Sequence, residues 1–459
     1  MSFSDRTTTS RLMRTCRTLN HEGAKHLFKD TLWIANEASA ISFTQYAFAR
    51  ANLDEMAHRM HWLNSLHVYA PRPRGNEVES IQRLSRSITF FLSHFAILAP
   101  NFVELNLHDS EELLSADTAL AEVIGAMARL QKLILTGAGR QTSEMLRRSN
   151  LRLWSVEFET IDETVLSMDD HPMYALHNSQ DTLRVLSLER VAFDPDRHLP
   201  CYNNLVQLEL ATSLVPPVHR LAQAFPNLWR LKINSFPGHS HLNAIEREEQ
   251  HQTNVLGQAQ HGTFPSLRSY KGSILSFYLL ALTCRVPFIE LRDDEHIPCW
   301  DTRMLQATCA HARPAHLDLY VSYLHDFLAQ TTGFAQLCAS EDFRRSVGML
   351  TLTFDVFWGE HDFDLAPVLE CVYLAVRASS LRAVELILDG QHLWEDCCDE
   401  DEEFPPVEVF LQSLDIEGVA DKLLEKTETL KTVIVRLWVS EKPEVKVQRG
   451  PDINYSDII

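Results

Sequence analysis

The chain has 459 residues, 45% hydrophobic and 23% charged, which are ordinary proportions for a folded protein and exclude disorder throughout. Its 62 acidic residues outnumber the 42 Lys and Arg residues, giving a net charge of −20. Nucleic acids and anionic membranes are bound through basic surfaces, so we expect neither as a partner. Nine thinly spread cysteines favour free thiols in a reducing compartment, and no apolar run reaches the ~18 residues of a membrane span.

The first predicted element is a helical segment within residues 1–50. Leu12, Met13, Cys16 and Leu19 fall on one helical face. A helix at this position would cap the open end of the repeats that follow, because stacked repeats leave their terminal units uncovered.

One pattern recurs between residues 51 and 440: an apolar residue, two variable residues, an apolar residue, one variable residue and a third apolar residue. This is the core of the leucine-rich repeat, in which the last two apolar residues point to the same face of a short strand. The clearest copies begin at Phe102, Leu130, Leu183, Leu205 and Leu228, and weaker copies begin at Leu63, Leu153, Val286, Val347, Leu381 and Leu430. Single copies arise by chance in any hydrophobic core, but eleven predict a repeat protein.

The segments between these copies predict helices, because their apolar period lengthens from two to about 3.6 residues. Residues 113–130 have one apolar helical face, with Ser115 or Asp117 available as the N-cap. Residues 365–376 repeat that face, and prolines open and close a short helix in 216–226. The predicted fold is therefore α/β: an irregular leucine-rich-repeat solenoid, a horseshoe with parallel strands on its concave face and helices on its convex face.

The spacing of the repeats fails in two places, which predicts insertions. Residues 237–262, rich in His, Gln and Glu, are expected to form a hydrophilic loop, and residues 392–406 contain an acidic run. The tail, residues 441–459, is expected to be loosely ordered.

Two short motifs have residue types found in ligand or metal sites, but their contexts favour turns. Residues 137–139 (Gly-Ala-Gly) lack the third glycine of a dinucleotide-binding loop and predict a plain turn. Residues 361–364 (His-Asp-Phe-Asp) have metal-ligand types but follow Gly359, which favours a solvated turn. We therefore predict no catalytic residue, no cofactor and no metal.

The residues between the buried positions of each strand are expected to face a partner. Those predicted to lie on the concave face are Glu104, Glu157, Glu159, Glu189, Gln207, Glu209, Arg230 and Lys232. They form an acidic stripe that ends in a basic step, so we expect a partner with a basic segment.

The N-terminal segment also resembles the second half of an F-box, a pattern of a Leu, basic residues, a Cys and a Leu, followed by a short helix and an apolar strand. The residues that carry the resemblance are Leu12, Arg14, Cys16, Arg17, Leu19, His26, Leu27 and Thr31 to Ile34. The family's opening Leu-Pro motif and first helix do not precede them, so the F-box is apparently truncated. Together with the irregular repeats, this segment gives the chain its resemblance to the large fungal F-box and leucine-rich-repeat families.

The resemblance implies a function. In that family the F-box binds the Skp-type adaptor of a cullin–RING ubiquitin ligase and the repeats select the substrate, which makes Leu12, Met13, Cys16 and Leu19 the candidate adaptor-docking residues. A repeat scaffold without ligase docking is the first alternative, and an enzyme of unknown type is the second. The implied location is the cytoplasm or the nucleus.

Overall fold

The structure is a computed structural model of the chain, and it divides into two compact units, Met1–Pro216 and Pro217–Ile459. The residues that it describes are 23, 25–28, 31–48, 53–70, 78–161, 170–191, 193, 197–211, 215–234, 242–292, 301–356, 363–391, 406–425, 427–439 and 444–453.

The described part of the first unit alternates strands with helices. Its strands are β1 (Leu32–Ile34), β2 (Ser65–Tyr69), β3 (Glu104–His108), β4 (Lys132–Ala138), β5 (Ser155–Thr160), β6 (Val185–Glu189) and β7 (Gln207–Ala211). Its helices are α1 (Glu37–Phe48), α2 (Leu53–Met60), α3 (Val78–Leu98), α4 (Ser110–Ala116), α5 (Thr118–Gly125), α6 (Arg140–Arg148) and α7 (Pro172–Ala175). Each strand from β1 to β6 pairs in parallel with the next one in the chain.

The second unit continues the same alternation within its described residues. Its strands are β8 (Arg230–Ile233), β9 (Ser269–Ser273), β10 (Phe288–Arg292), β11 (His316–Val321), β12 (Met349–Asp355), β13 (Ala383–Gly390), β14 (Thr432–Val439) and β15 (Val445–Arg449). Its helices are α8 (Val218–Ala224), α9 (Ala244–His261), α10 (Ile274–Leu280), α11 (Thr302–Ala312), α12 (Leu324–Ala329), α13 (Thr331–Ala339), α14 (Glu341–Ser346), α15 (Ala366–Ala378), α16 (Pro406–Ser413) and α17 (Ile416–Glu425). Neighbouring strands from β8 to β14 are parallel, and β15 is antiparallel to β14.

The apolar residues of the repeat pattern align in register across the strands. Leu105 of β3 pairs with Leu66 of β2 and Leu133 of β4, and all three side chains are fully buried. In the second unit the equivalent row is Leu231, Tyr270, Ile289, Leu317, Leu350, Val384 and Val433. The predicted α/β architecture with a mostly parallel sheet is thus confirmed, because each motif contributes one strand and the same face to a shared core.

The N-terminal segment is described only in part. The predicted docking residues Leu12, Met13, Cys16 and Leu19 lie outside the described residues. The predicted apolar strand is present as β1, which pairs with β2 and so joins the sheet of the first unit. The ring of Phe28 is buried and contacts that of Phe43 edge-on, with centroids 5.4 Å apart.

The helix predictions hold, with one difference. The helix predicted within residues 113–130 is α5, and a helix that was not predicted, α4, ends just before it because the backbone of Asp117 is extended. The Asp117 side chain accepts a hydrogen bond from the Ala119 amide, which makes it the N-cap of α5 as predicted, and a second one from the Thr89 hydroxyl of α3. Pro217 precedes α8, and α15 buries the predicted apolar face.

The hydrophilic loop predicted for residues 237–262 is wrong from residue 244 onward, where the chain forms helix α9. A capping box opens this helix: the Asn243 side chain accepts from the Glu246 amide while the Glu246 carboxylate accepts from the Asn243 amide. The buried face of α9 is polar and therefore has no apolar periodicity. His251, Asn254 and Gln258 lie on it and hydrogen-bond the carbonyl groups of Tyr278, Leu279 and Ala281 at the C-terminal end of α10, where a helix lacks its full set of backbone hydrogen bonds.

The prediction of a loosely ordered tail is wrong for the described residues 444–453. Strand β15 pairs with β14, and the Arg449 guanidinium donates to Asp421 Oδ1 at 2.8 Å and to Glu417 Oε2 at 3.0 Å, both on α17. Strand pairing and these ion pairs hold the segment. The acidic insertion at 392–406 lies outside the described residues as far as residue 405, and α16 begins at Pro406.

Candidate binding surface

The alternate residues of β1 to β7, which point away from the core row, form a surface that we call the open face. Its residues align in three rows: Ser65, Glu104, Lys132, Ser155, Val185 and Gln207; then Trp33, His67, Asn106, Ile134, Glu157, Ser187 and Glu209; then Tyr69 with His108, and Glu159 with Glu189 and Ala211. The predicted acidic residues of the first unit therefore share one face.

Two basic residues that the sequence analysis missed partly neutralise this face. Lys132 Nζ lies 3.3 Å from Glu104 Oε1 and 3.5 Å from Glu157 Oε1. Lys132 occupies the same motif position as Glu104, so strict alignment of the repeats would have found it. The ion pairs fix the carboxylates in place and leave the face with an excess of acidic groups.

The second basic residue is Arg190, directly after β6. Its guanidinium lies 3.1 Å from Glu159 Oε1 and 3.6 Å from Glu189 Oε1. Burial, and then the neighbouring charge of Glu189, raise the pKa of Glu159. Arg190 follows the motif, so its position carried no repeat signal.

The remaining predicted residues lie further along the chain. Gln207 and Glu209 occupy the first and second rows on β7. Arg230 and Lys232 lie on β8, in the second unit, where they pair in register with Ser269 and Lys271. The predicted basic step therefore lies in the second unit, whereas the predicted acidic residues lie in the first.

Four rings, which we call the aromatic patch, begin the open face: Trp33, His67, Tyr69 and His108. Trp33 stacks on Tyr69 with centroids 5.3 Å apart, and Tyr69 stacks on His108 at 3.8 Å. Trp33 also contacts His67 at 4.5 Å and is 49% exposed. The patch was not predicted, because its members come from three separate strands and are brought together by strand register alone.

The equivalent face of the second unit carries a network of internal ion pairs. Lys271 Nζ lies 2.6 Å from Glu290 Oε1, and Arg292 Nε donates to the same oxygen at 3.0 Å. Asp318 pairs in register with Glu290. Burial, and then the charges of Glu290 and Glu385, raise the pKa of Asp318 to about 7.

This network continues along β11 to β14. The Tyr320 hydroxyl donates to Asp355 Oδ2 at 2.6 Å, and burial together with this hydrogen bond raises the pKa of Tyr320. Burial lowers the pKa of His316 to about 4, so this ring is neutral at pH 7. Arg436 Nε donates to Glu385 Oε1 at 2.7 Å. Because its charges are largely paired within the unit, this face is less suited than the open face to attract a charged partner.

The plain turn predicted for residues 137–139 is wrong for Gly137 and Ala138, which belong to β4; only Gly139 lies between this strand and α6. Gly137 has a φ of +60° at the end of β4, and Gly139 precedes α6. The first amides of α6 donate to the Glu111 carboxylate, at 2.9 Å from Gln141 and 3.1 Å from Thr142. A carboxylate of the chain itself thus occupies the place where a nucleotide phosphate would bind.

Other features of the described residues do not form a chemical site. Within these ranges no group of three or more His, Cys, Asp or Glu side chains is placed to hold a metal ion. Cys309 is fully buried, and burial raises its thiol pKa to about 12, which suppresses the reactive thiolate. A cavity of about 10 Å³ near His251 and Tyr278 has room for about one water molecule, far less than the ~300–1,000 Å³ of ligand pockets.

A scan against protein-family models finds no match, and neither does a search of curated proteins. Among the helices that the structure describes, none has the length and apolar character needed to cross a membrane.

Proposed function

We propose that this protein binds another protein through the open face, and that the bound segment is basic. The observation that carries the proposal is the placement of Glu104, Glu157, Glu159 and Glu189 on one face, with Lys132 and Arg190 as the paired cations. Clustered carboxylates at an interface favour partners of opposite charge and speed their association. The parallel strand register supports a further proposal, that the repeats form a leucine-rich-repeat horseshoe with the open face on its concave side.

Charge reversal tests the binding proposal. Partners are purified with the full chain from cells, identified by mass spectrometry and produced in isolation, and their affinities are measured by calorimetry. Changing Glu157, Glu189 and Glu209 to Lys is expected to weaken binding at least about tenfold, because close charge pairs across interfaces contribute ~1.5 kcal/mol or more.

The matched control changes three exposed helix residues of the same unit to Lys. These are Glu79, Glu112 and Glu122, on α3, α4 and α5. This variant has the same net charge as the open-face variant and should bind partners nearly as well as the wild type. Equal affinity of both variants and the wild type for every isolated partner would exclude the open face as the binding surface.

We further propose that the protein is the substrate-recognition subunit of a cullin–RING ubiquitin ligase, acting in the cytoplasm or nucleus. The F-box-like pattern around Leu12, Met13, Cys16 and Leu19 supports this role, and the protein itself would then need no catalytic residue. The test is co-purification of the Skp-type adaptor with the full chain, and its loss on changing Leu12 and Leu19 to Asp. Absence of the adaptor from the wild-type purification, with other partners retained, would favour a repeat scaffold without ligase docking.

A further inference from the structure

The aromatic patch has no role in filling the core. The opposite faces of β1 and β2 are occupied by Ile34, Leu66 and Val68, each at most 1% exposed. Trp33 points to the other side and keeps about half of its surface in solvent. A large aromatic side chain that stays exposed forgoes most of the stabilisation of burial, and such side chains are enriched at binding hot spots.

The patch is held in one arrangement before any partner binds. Trp33 packs on both Tyr69 and His67, and Tyr69 is stacked on His108 in turn. His108 Nδ1 lies 3.3 Å from the Thr136 hydroxyl. A ligand that stacks on these rings would therefore order few side chains, which keeps the entropy cost of binding low.

The charge around the patch favours a cationic ligand. Burial lowers the pKa values of His67 and His108, so both rings are neutral at pH 7 and the patch carries no positive charge of its own. Glu104 Oε1 lies 3.8 Å from His67 Nε2, and Glu157 of β5 lies in the same row as His67. Lys132 pairs with both carboxylates, so these two anions face one cation and an excess of negative charge is left. The faces of aromatic rings are negative, and they attract cations most strongly when the ring is Trp.

Among biological cations, the guanidinium of arginine fits this arrangement best. It is planar, so it stacks on the Trp33 ring while its N–H groups remain free to donate to carboxylates such as Glu104. A lysine ammonium is more strongly hydrated and stacks less well.

We propose that the aromatic patch binds an arginine side chain of the partner's basic segment, with the guanidinium stacked on Trp33. The proposal rests on the proposed function, since it assigns one residue of the basic segment that the open face would bind. It adds a preference for arginine over lysine, which charge alone does not provide.

The experiment uses the full chain and fluorescein-labelled peptides in which glycine alternates with arginine, lysine or uncharged citrulline, with binding followed by anisotropy. The wild type should bind the arginine peptide more tightly than the lysine peptide. Trp33→Ala should weaken the arginine peptide about three- to fivefold and the lysine peptide less, because a cation on an exposed ring gains only a modest energy.

Two variants control for other causes. Trp33→Leu keeps a bulky apolar side chain without a π face, so it should lose the same affinity as Trp33→Ala if the π face binds the cation. The circular dichroism spectra of both variants should match that of the wild type, which excludes misfolding as the cause of the loss. Trp154→Ala removes a tryptophan of the same unit that is 47% exposed but lies just before β5, and it should bind like the wild type.

The outcomes separate the two proposals. If the wild type does not prefer arginine, or if Trp33→Leu binds the arginine peptide as well as the wild type does, the aromatic patch is not an arginine site. If charge reversal at Glu157, Glu189 and Glu209 abolishes peptide binding in the same experiment, the acidic open face remains a binding surface that does not use the aromatic patch. The open face itself is excluded only by the isolated-partner measurements described above.

Discussion

At the scale of single residues, one repeat shows how a large side chain in the core is balanced by a small neighbouring residue. An incomplete copy of the pattern, which is not among the eleven named above, begins at Leu267 and places Tyr270 at the second apolar position and Gly272 at the third. The register partners of Gly272 are Ile233 and Leu291. The fully buried Tyr270 ring lies against the space that a side chain at Gly272 would need. A large and a small residue thus replace two of medium size, which is why the motif looked incomplete in the sequence.

We predict that Gly272→Ala destabilises the protein by about 1–3 kcal/mol, the usual cost of overpacking a filled core. An added Cβ would lie 2.5 Å from both the Ile233 carbonyl oxygen and the Tyr270 hydroxyl. Urea denaturation measures the loss. The control is Tyr270→Phe, which removes a buried hydroxyl that has no hydrogen-bond partner and should leave stability unchanged or raised. An unchanged urea midpoint for Gly272→Ala would show that the core accommodates an additional methyl group at this position.

A second residue-scale prediction concerns pH. The pKa of Asp318 is about 7 in the folded protein, whereas an unfolded Asp titrates near ~3.9. Between these values the folded state holds a proton that the unfolded state has lost, so the free energy of unfolding should fall as pH rises from about 4 to about 7 and level off above. The total is on the order of 2–4 kcal/mol.

Asp318→Asn should remove this pH dependence, because the amide stays neutral. The variant should match the wild type near pH 4 and be more stable above pH 7, as measured by urea midpoints across the pH range. Glu341→Gln, on the exposed surface of α14, removes one carboxylate elsewhere in the second unit and controls for the change in net charge. Identical pH profiles for wild type and Asp318→Asn would show that Asp318 does not titrate as described.

At the scale of elements, the sequence predicts whatever is apolar and periodic. The eleven strands β2 to β8, β10 and β12 to β14, and the helices α5, α8 and α15, were found because leucines and valines mark their buried faces. Helix α9 was missed because its buried face consists of a histidine, an asparagine and a glutamine, whose value lies in hydrogen bonds to a neighbouring helix end. A buried polar face of a helix can be recognised only when the groups that it hydrogen-bonds are known.

The candidate site likewise has a part that the sequence predicts and a part that it does not. The glutamates of the open face could be predicted, because strand alternation alone decides which face they occupy. Their ion pairs with Lys132 and Arg190, and the stack of Trp33 on Tyr69 and His108, depend on which repeats lie side by side and in what register. Alternation within one strand does not contain that information.

Strand β15 supplies the element-scale prediction. It covers the edge of β14, whose residues Thr432 to Val439 are mostly buried and apolar, and an uncovered strand of that kind pairs readily with another chain. We predict that ending the chain after residue 440 lowers the melting temperature and causes self-association that grows with concentration. Calorimetry and analytical ultracentrifugation measure the two effects.

A shorter truncation provides the control. Ending the chain after residue 453 keeps β15 and the ion pairs of Arg449 with α17, so this variant should melt like the wild type and sediment as it does. If the longer truncation has the same melting temperature and sedimentation as the wild type, β15 is dispensable for the second unit.

At the scale of the whole molecule, the excess of acidic residues has a kinetic consequence. A net charge of −20 creates a negative potential that extends about one Debye length, ~8 Å, from the surface at physiological salt. The open face adds carboxylates at the place where the basic segment would dock. Such fields accelerate the encounter of oppositely charged molecules, whereas close contacts govern how long the complex lasts.

We therefore predict that the association rate of the arginine peptide falls about tenfold or more between about 20 and about 300 mM NaCl, with a much smaller change in the dissociation rate. Stopped-flow anisotropy measures both. The open-face and helix-surface triple variants each raise the net charge by six, to −14. If the field of the whole molecule steers the peptide, both should associate more slowly at low salt, but only the open-face variant should also dissociate faster. An association rate that does not depend on salt would show that steering plays no part.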